Sequence, residues 1–106
     1  VRSMAADIFI DAGYRVLEAG NALEAITVLE GANDIMTVFT DIEMPGEKNG
    51  LSLAAEIKVR WPRISVLITS GRVRPDAAAL PMGADFIAKP YLPREVINRI
   101  ESIGPA

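Results

Sequence analysis

Three groups in this chain have the chemistry to act together: the carboxylate of Asp41, the hydroxyl of Thr69 with small Ser70 beside it, and the ammonium of Lys89. Each follows a short apolar run, and Lys89 is followed by Pro90. A carboxylate can be the nucleophile that forms an aspartyl phosphate. An ammonium offsets phosphoryl charge, and a hydroxyl can donate to a phosphoryl oxygen. Such transfer depends mostly on positioning and electrostatic stabilisation, usually with Mg²⁺ neutralising charge.

Composition narrows the alternatives. The chain has 106 residues with no His and no Cys. Thiol catalysis, disulfides, Ser-His and Cys-His pairs, and imidazole or thiolate metal sites are therefore excluded. What remains is carboxylate, hydroxyl, lysine and a hard cation such as Mg²⁺. The net charge of −3 is mild and the eleven basic residues are scattered, unlike the footprint of a nucleic-acid binder. No apolar run approaches the ~20 residues that span a bilayer. No signal peptide is evident either, since Arg2, Asp7 and Asp11 interrupt the N-terminal stretch. The expected setting is cytoplasmic, in one domain over residues 1–106.

The elements that must position the three groups alternate between helix and strand. Val1, Met4, Ala5, Ile8, Phe9 and Ala12 recur at helical spacing before Gly13. Residues 14–19 are a strand candidate around Val16 and Leu17. Asn21 and Glu24 form a variant capping box for a helix burying Ala22, Ala25, Ile26 and Leu29, stopped by Gly31. Residues 35–40 read as a buried strand ending at Asp41. Leu53, Ala54, Ile57 and Trp61 mark a third helix, ended by Pro62. Residues 64–69 and 85–88 are further strands, and Pro93 opens a last helix burying Val96, Ile97, Ile100 and Ile103. Between Arg72 and Met82, Pro75 and Pro81 leave room for a degraded helix or none.

Apolar strands alternating with helices imply α/β architecture, with a parallel sheet covered on both faces. In such sheets ligands bind at the carboxyl ends of the strands. Asp41, Thr69 and Lys89 all fall there.

Three runs then carry a family resemblance. VFTDIEMPG at residues 38–46 with NGL at 49–51 resembles the phosphoacceptor loop of bacterial response-regulator receiver domains. VLITSG at 66–71 resembles their switch strand, and GADFIAKPY at 83–91 their lysine-proline signature. The resemblance covers nearly the whole chain in order and spacing. It implies a flavodoxin-like doubly wound sheet of order 2-1-3-4-5. It also implies Asp41 as phosphoacceptor, the backbone carbonyl of Glu43 as a metal ligand, and Thr69 as the switch hydroxyl. Phe86 matches the switch aromatic, Lys89 the phosphate-binding lysine, and a cis bond is implied between Lys89 and Pro90.

The implied cofactor is Mg²⁺. The implied partners are a sensor histidine kinase or phosphotransfer protein and a downstream protein target, with a homodimer as an option. No direct nucleic-acid partner and no membrane partner are implied. Any enzymatic activity would be at most Mg-dependent self-phosphorylation from a phosphodonor and autodephosphorylation.

The chain also departs from the family pattern. Family members begin with a strand ending in an acidic pair that serves Mg²⁺, whereas this chain opens in the helix that follows. The expectation is an N-terminally truncated receiver, with the remaining metal ligands upstream of Val1. The loop from Asp41 to Gly50 is one residue longer than usual, and the stretch from Thr69 to Phe86 is shorter.

Plainer readings stand beside these. Asp41 alone would be a cap or turn former, Lys89 a solvated charge, Thr69 a β-former, and Phe86 core packing. Arg72 and Arg74 read as a solvated loop, and Met44-Pro45 as a turn. Glu43 and Glu47 lack EF-hand spacing. The same fold could serve as a pseudo-receiver, an interaction module that works without phosphorylation. A flavin or nucleotide binder would need a phosphate-cradling glycine loop, and none occurs.

Overall fold

The computed structural model describes residues 4–43, 46, 48–72 and 74–103. Val1, the Met44-Pro45 turn and Glu47 lie outside them. The elements run α1 (Met4–Asp11), α2 (Ala22–Gly31), β1 (Thr37–Asp41), α3 (Gly50–Arg60), β2 (Ser65–Ser70), a 3₁₀ turn (Ala77–Ala79), β3 (Ala84–Ala88) and α4 (Pro93–Ile103). The strands form a parallel sheet in the order β1-β2-β3. Among the described residues no helix is long and apolar enough to cross a membrane.

Helix ends follow from local chemistry. Asn21 caps α2 by accepting from the Glu24 N–H at 2.9 Å. The Glu24 carboxylate reaches back one residue further than a standard capping box and accepts from the Gly20 N–H at 3.0 Å. Gly31 is the last residue of α2, with Ala32 at the C-cap. Asn49 caps α3 through the Ser52 N–H. At the other end the Trp61 N–H donates to the Ile57 carbonyl before Pro62. Pro93 takes the first position of α4, where a missing N–H is harmless, and Glu95 accepts from the Leu92 N–H at 2.7 Å.

The pleat divides the core in two. Val66 and Ile68 of β2 join Ala22, Ile26 and Leu29 of α2 and Leu53, Ala54 and Ile57 of α3. On the opposite face Leu67 and Ile87 join Val96 and Ile100 of α4, flanked by Ile8 and Phe9 of α1. Each large apolar side chain so buried contributes roughly 1.5–3 kcal/mol.

Two expectations need correction. Residues 14–19 form no strand. An extended segment becomes a strand only when a neighbour takes its backbone groups, and among the described residues no strand pairs with it. The run ending at Asp41 is half-buried rather than buried, because β1 lies at a sheet edge while central β2 is buried throughout. The proline-bounded stretch does hold only the short turn Ala77–Ala79.

Candidate functional site

Strand register brings the three singled-out groups to one edge. Asp41 is in register with Thr69, and Thr69 with Ile87. Beyond the ladder, the Ile42 N–H donates to the Thr69 carbonyl and the Lys89 N–H to the Ser70 carbonyl. The peptide bond between Lys89 and Pro90 is cis, as expected. The Lys89 side chain reaches the strand ends, where Nζ lies 2.9 Å from Asp41 Oδ2.

That pair is partly open to water, with side-chain exposures of 42% and 36%. Its contribution to stability is therefore within about 1 kcal/mol. The two Asp41 oxygens are unlike. Oδ2 takes the ammonium, whereas Oδ1 is buried and finds no hydrogen-bond partner among the described residues. An unpaired buried carboxylate oxygen is costly unless something compensates it, which fits a cation at Oδ1. Among the described residues no group of three or more Asp or Glu stands ready to hold a metal.

Thr69 is buried, and its hydroxyl donates to the Ile87 carbonyl at 2.7 Å. Phe86, in register with Ile68, packs half-buried on the other face, against the α2/α3 cluster. The structure therefore gathers Asp41, Thr69 and Lys89 at the sheet edge and sets Phe86 behind it.

Three contributors were not singled out from the sequence for what they do here. Gly50 is the first: a Cβ there would overlap the Asp41 carbonyl oxygen and lie 2.7 Å from its carbonyl carbon. Tyr91 is the second. Its ring meets Phe39 edge-to-face at 5.8 Å, and Phe39 meets Phe9 at 5.4 Å. Burial raises the Tyr91 phenol above its ordinary value; the Lys89 charge lowers it and the Asp41 charge raises it. The third is the Glu43 carboxylate, whose two oxygens accept from the Ser70 hydroxyl at 2.9 and 2.7 Å. An aromatic directly after the Lys-Pro pair and a glycine opening a helix were the only signals available for the first two.

Comparison with known proteins bears on the same site. The family profile of the response regulator receiver domain matches residues 1–101. The chain is 35% identical over 105 residues to the aerobic respiration control protein ArcA of Escherichia coli K12, covering 96% of this chain and 43% of that protein. It is 34% identical over 94 residues to the response regulator SaeR of Staphylococcus aureus USA300, covering 86% and 40%. The chain thus spans less than half the length of these relatives. Among solved structures, the receiver domain of NtrX from Brucella abortus superposes with a TM-score of 0.84 at 31% identity, covering 94% of this chain and 86% of that one. A response regulator receiver protein from Sinorhizobium medicae reaches 0.85 at 21% identity, covering 93% and 81%, and there the likeness is one of fold.

Proposed function

The chain belongs to the response regulator receiver domain family, and from that premise we propose that Asp41 accepts a phosphoryl group from the phosphohistidine of a sensor histidine kinase or phosphotransfer protein, switching a surface that binds a downstream protein. The observation that carries this reading is the 2.9 Å contact between Lys89 Nζ and Asp41 Oδ2 at the carboxyl edge of the sheet. An Asp41 oxygen attacks phosphorus, the bond from phosphorus to the donor imidazole breaks, and the imidazole nitrogen keeps the electron pair and takes a proton. Lys89 offsets the charge gathered on the phosphoryl oxygens.

Receivers of this family generally use Mg²⁺. Asp41 Oδ1, which is buried without a partner among the described residues, and the backbone carbonyl of Glu43 would hold it here. When bound, the ion neutralises charge on the transferring group. Thr69 is the hydroxyl that changes partner, leaving the Ile87 carbonyl it now binds. Phe86, half-buried behind the edge, is the aromatic that responds by repacking. The reading carries with it a cytoplasmic location.

The test is intact mass of the complete reading frame after incubation with a small phosphodonor and Mg²⁺. A single phosphoryl adduct is expected, absent from Asp41→Asn and absent with chelator. No adduct on folded protein would overturn the reading and leave an interaction module.

A further inference from the structure

Among the described residues, the edge that holds Asp41 brings together two carboxylates and one ammonium. Asp41 and Glu43 are two positions apart, and Lys89 reaches the same edge from β3. Nothing in charge alone makes Lys89 prefer one carboxylate. Glu43 is the more exposed of the two and hence the freer to move. Even so, Lys89 Nζ pairs with Asp41, and among the described residues Glu43 pairs with no cation.

Ser70 accounts for the difference. It is 2% exposed, and its single hydroxyl proton is shared between both Glu43 oxygens at 2.9 and 2.7 Å. The Arg72 N–H donates to the same Oγ at 3.1 Å, which polarises the hydroxyl and strengthens its donation. The Ser70 carbonyl accepts from the Lys89 N–H at 3.1 Å, so the serine that restrains Glu43 is bonded to the residue from which Glu43 is withheld. A hydrogen bond to an ionised acceptor is roughly twice as strong as a neutral one.

We propose that Ser70 is a positioning residue that ties down the Glu43 carboxylate and so reserves Lys89 for Asp41. Its bearing on phosphoryl transfer rests on the reading of Asp41 as acceptor. The tie itself is readable without any phosphodonor. Without the hydroxyl, Glu43 swings free and shares Lys89, which leaves Asp41 with its ammonium only part of the time.

The experiment follows the side-chain methylene signals of isotope-labelled lysine by nuclear magnetic resonance at constant pH. The chain holds Lys48, Lys58 and Lys89, and arginine replacement of the first two assigns the third. With Ser70 present, the Lys89 signal moves on Asp41→Asn and stays on Glu43→Gln. In Ser70→Ala it moves on either change. The proposal is overturned if Glu43→Gln already shifts Lys89 with Ser70 in place, or leaves it unmoved in Ser70→Ala. Ser70→Cys adds a little volume while keeping a weaker donor and gives an intermediate response, which keeps the test open should the alanine variant not fold.

In protein that forms the Asp41 adduct, Ser70→Ala slows its formation several-fold. Adding Glu43→Gln on that background restores it, and a rate that ignores both changes counts against the proposal. Failure of the adduct in every protein would sink the phosphoacceptor reading while the lysine signals still decided the role of Ser70.

Discussion

Gly50, the first residue of α3, lies so close to the Asp41 carbonyl that no Cβ fits between them. The Gly50 N–H donates to the Ile42 carbonyl at 2.9 Å, so the helix start is fastened to the residue after the proposed acceptor. Gly50→Ala must push α3 or the Asp41 loop aside. Overpacking of this kind costs about 1–3 kcal/mol. The expected result is a lower urea midpoint together with loss of Asp41 reactivity in the fraction that remains folded. An unchanged midpoint would mean that the approach is looser than the geometry shows.

Lys89 separates stability from chemistry. Its ion pair with Asp41 is partly exposed, so Lys89→Met shifts stability by about 1 kcal/mol or less. The same change removes the only side-chain cation found on Asp41 among the described residues, and phosphoryl transfer is expected to slow on the order of 100-fold. Lys89→Arg does not restore the rate, since a planar guanidinium cannot replace a compact ammonium at this point. Paired denaturation curves and adduct time courses check both halves.

Thr69 offers a contrast between hydroxyl and shape. Thr69→Val keeps the branched form but deprives the Ile87 carbonyl of its hydroxyl donor, which costs about 1 kcal/mol. Thr69→Ser keeps the donor and loses a methyl group. If the hydroxyl is the working part, the serine variant retains any activation-dependent change in the spectrum of the domain, and the valine variant loses it.

Tyr91 reports on the charge at the edge. Burial leads in raising its phenol above the ordinary value of 10.0, with the Asp41 charge adding to the rise and the Lys89 charge opposing it. A raised folded value stabilises the protein fully below the unfolded value, and that stability is lost as pH climbs through the folded one. Wild type should therefore lose stability above about pH 10 by an increment that Tyr91→Phe lacks. Asp41→Asn removes one raising influence, so the Tyr91 phenolate absorbance should appear at lower pH. Appearance at higher pH would contradict the geometry.

What the sequence made legible is what depends on near neighbours. The cap at Asn21, the opening of α4 at Pro93, the weak stretch between Pro75 and Pro81, and the parallel runs ending at Asp41, Thr69 and Lys89 are local patterns. What stayed hidden depends on residues far apart in the chain. Residues 14–19 have the composition of a strand, but a strand also needs a partner, and the run itself carries no sign of one; only the implied order 2-1-3-4-5 does. Gly50 reads as the end of an ordinary loop until the Asp41 carbonyl is seen above it. Ser70 reads as a small residue beside Thr69, whereas its hydroxyl bond to Glu43 spans 27 residues of sequence and no spacing rule announces it.

The two faces of the sheet also differ in how much chain must be gathered to complete them. The buried cluster on the α2/α3 side is drawn from Ala22 to Ile68, with Leu80, Ala84 and Phe86 packed half-buried against it. The other face needs α1 and α4 together: Phe9 against Phe39, Val96 and Ile100 against Leu67, and the Ser65 hydroxyl on the Ile103 carbonyl at 2.8 Å. α4 follows every strand of the sheet in the chain, so its contacts cannot form until the strands have been made. During synthesis, one side of the sheet can consequently be sealed while the other still waits for α4. The face shared by Phe39, Leu67 and Ile87 is then the one left exposed to chaperones, proteases and neighbouring chains, and the last helix ends that exposure.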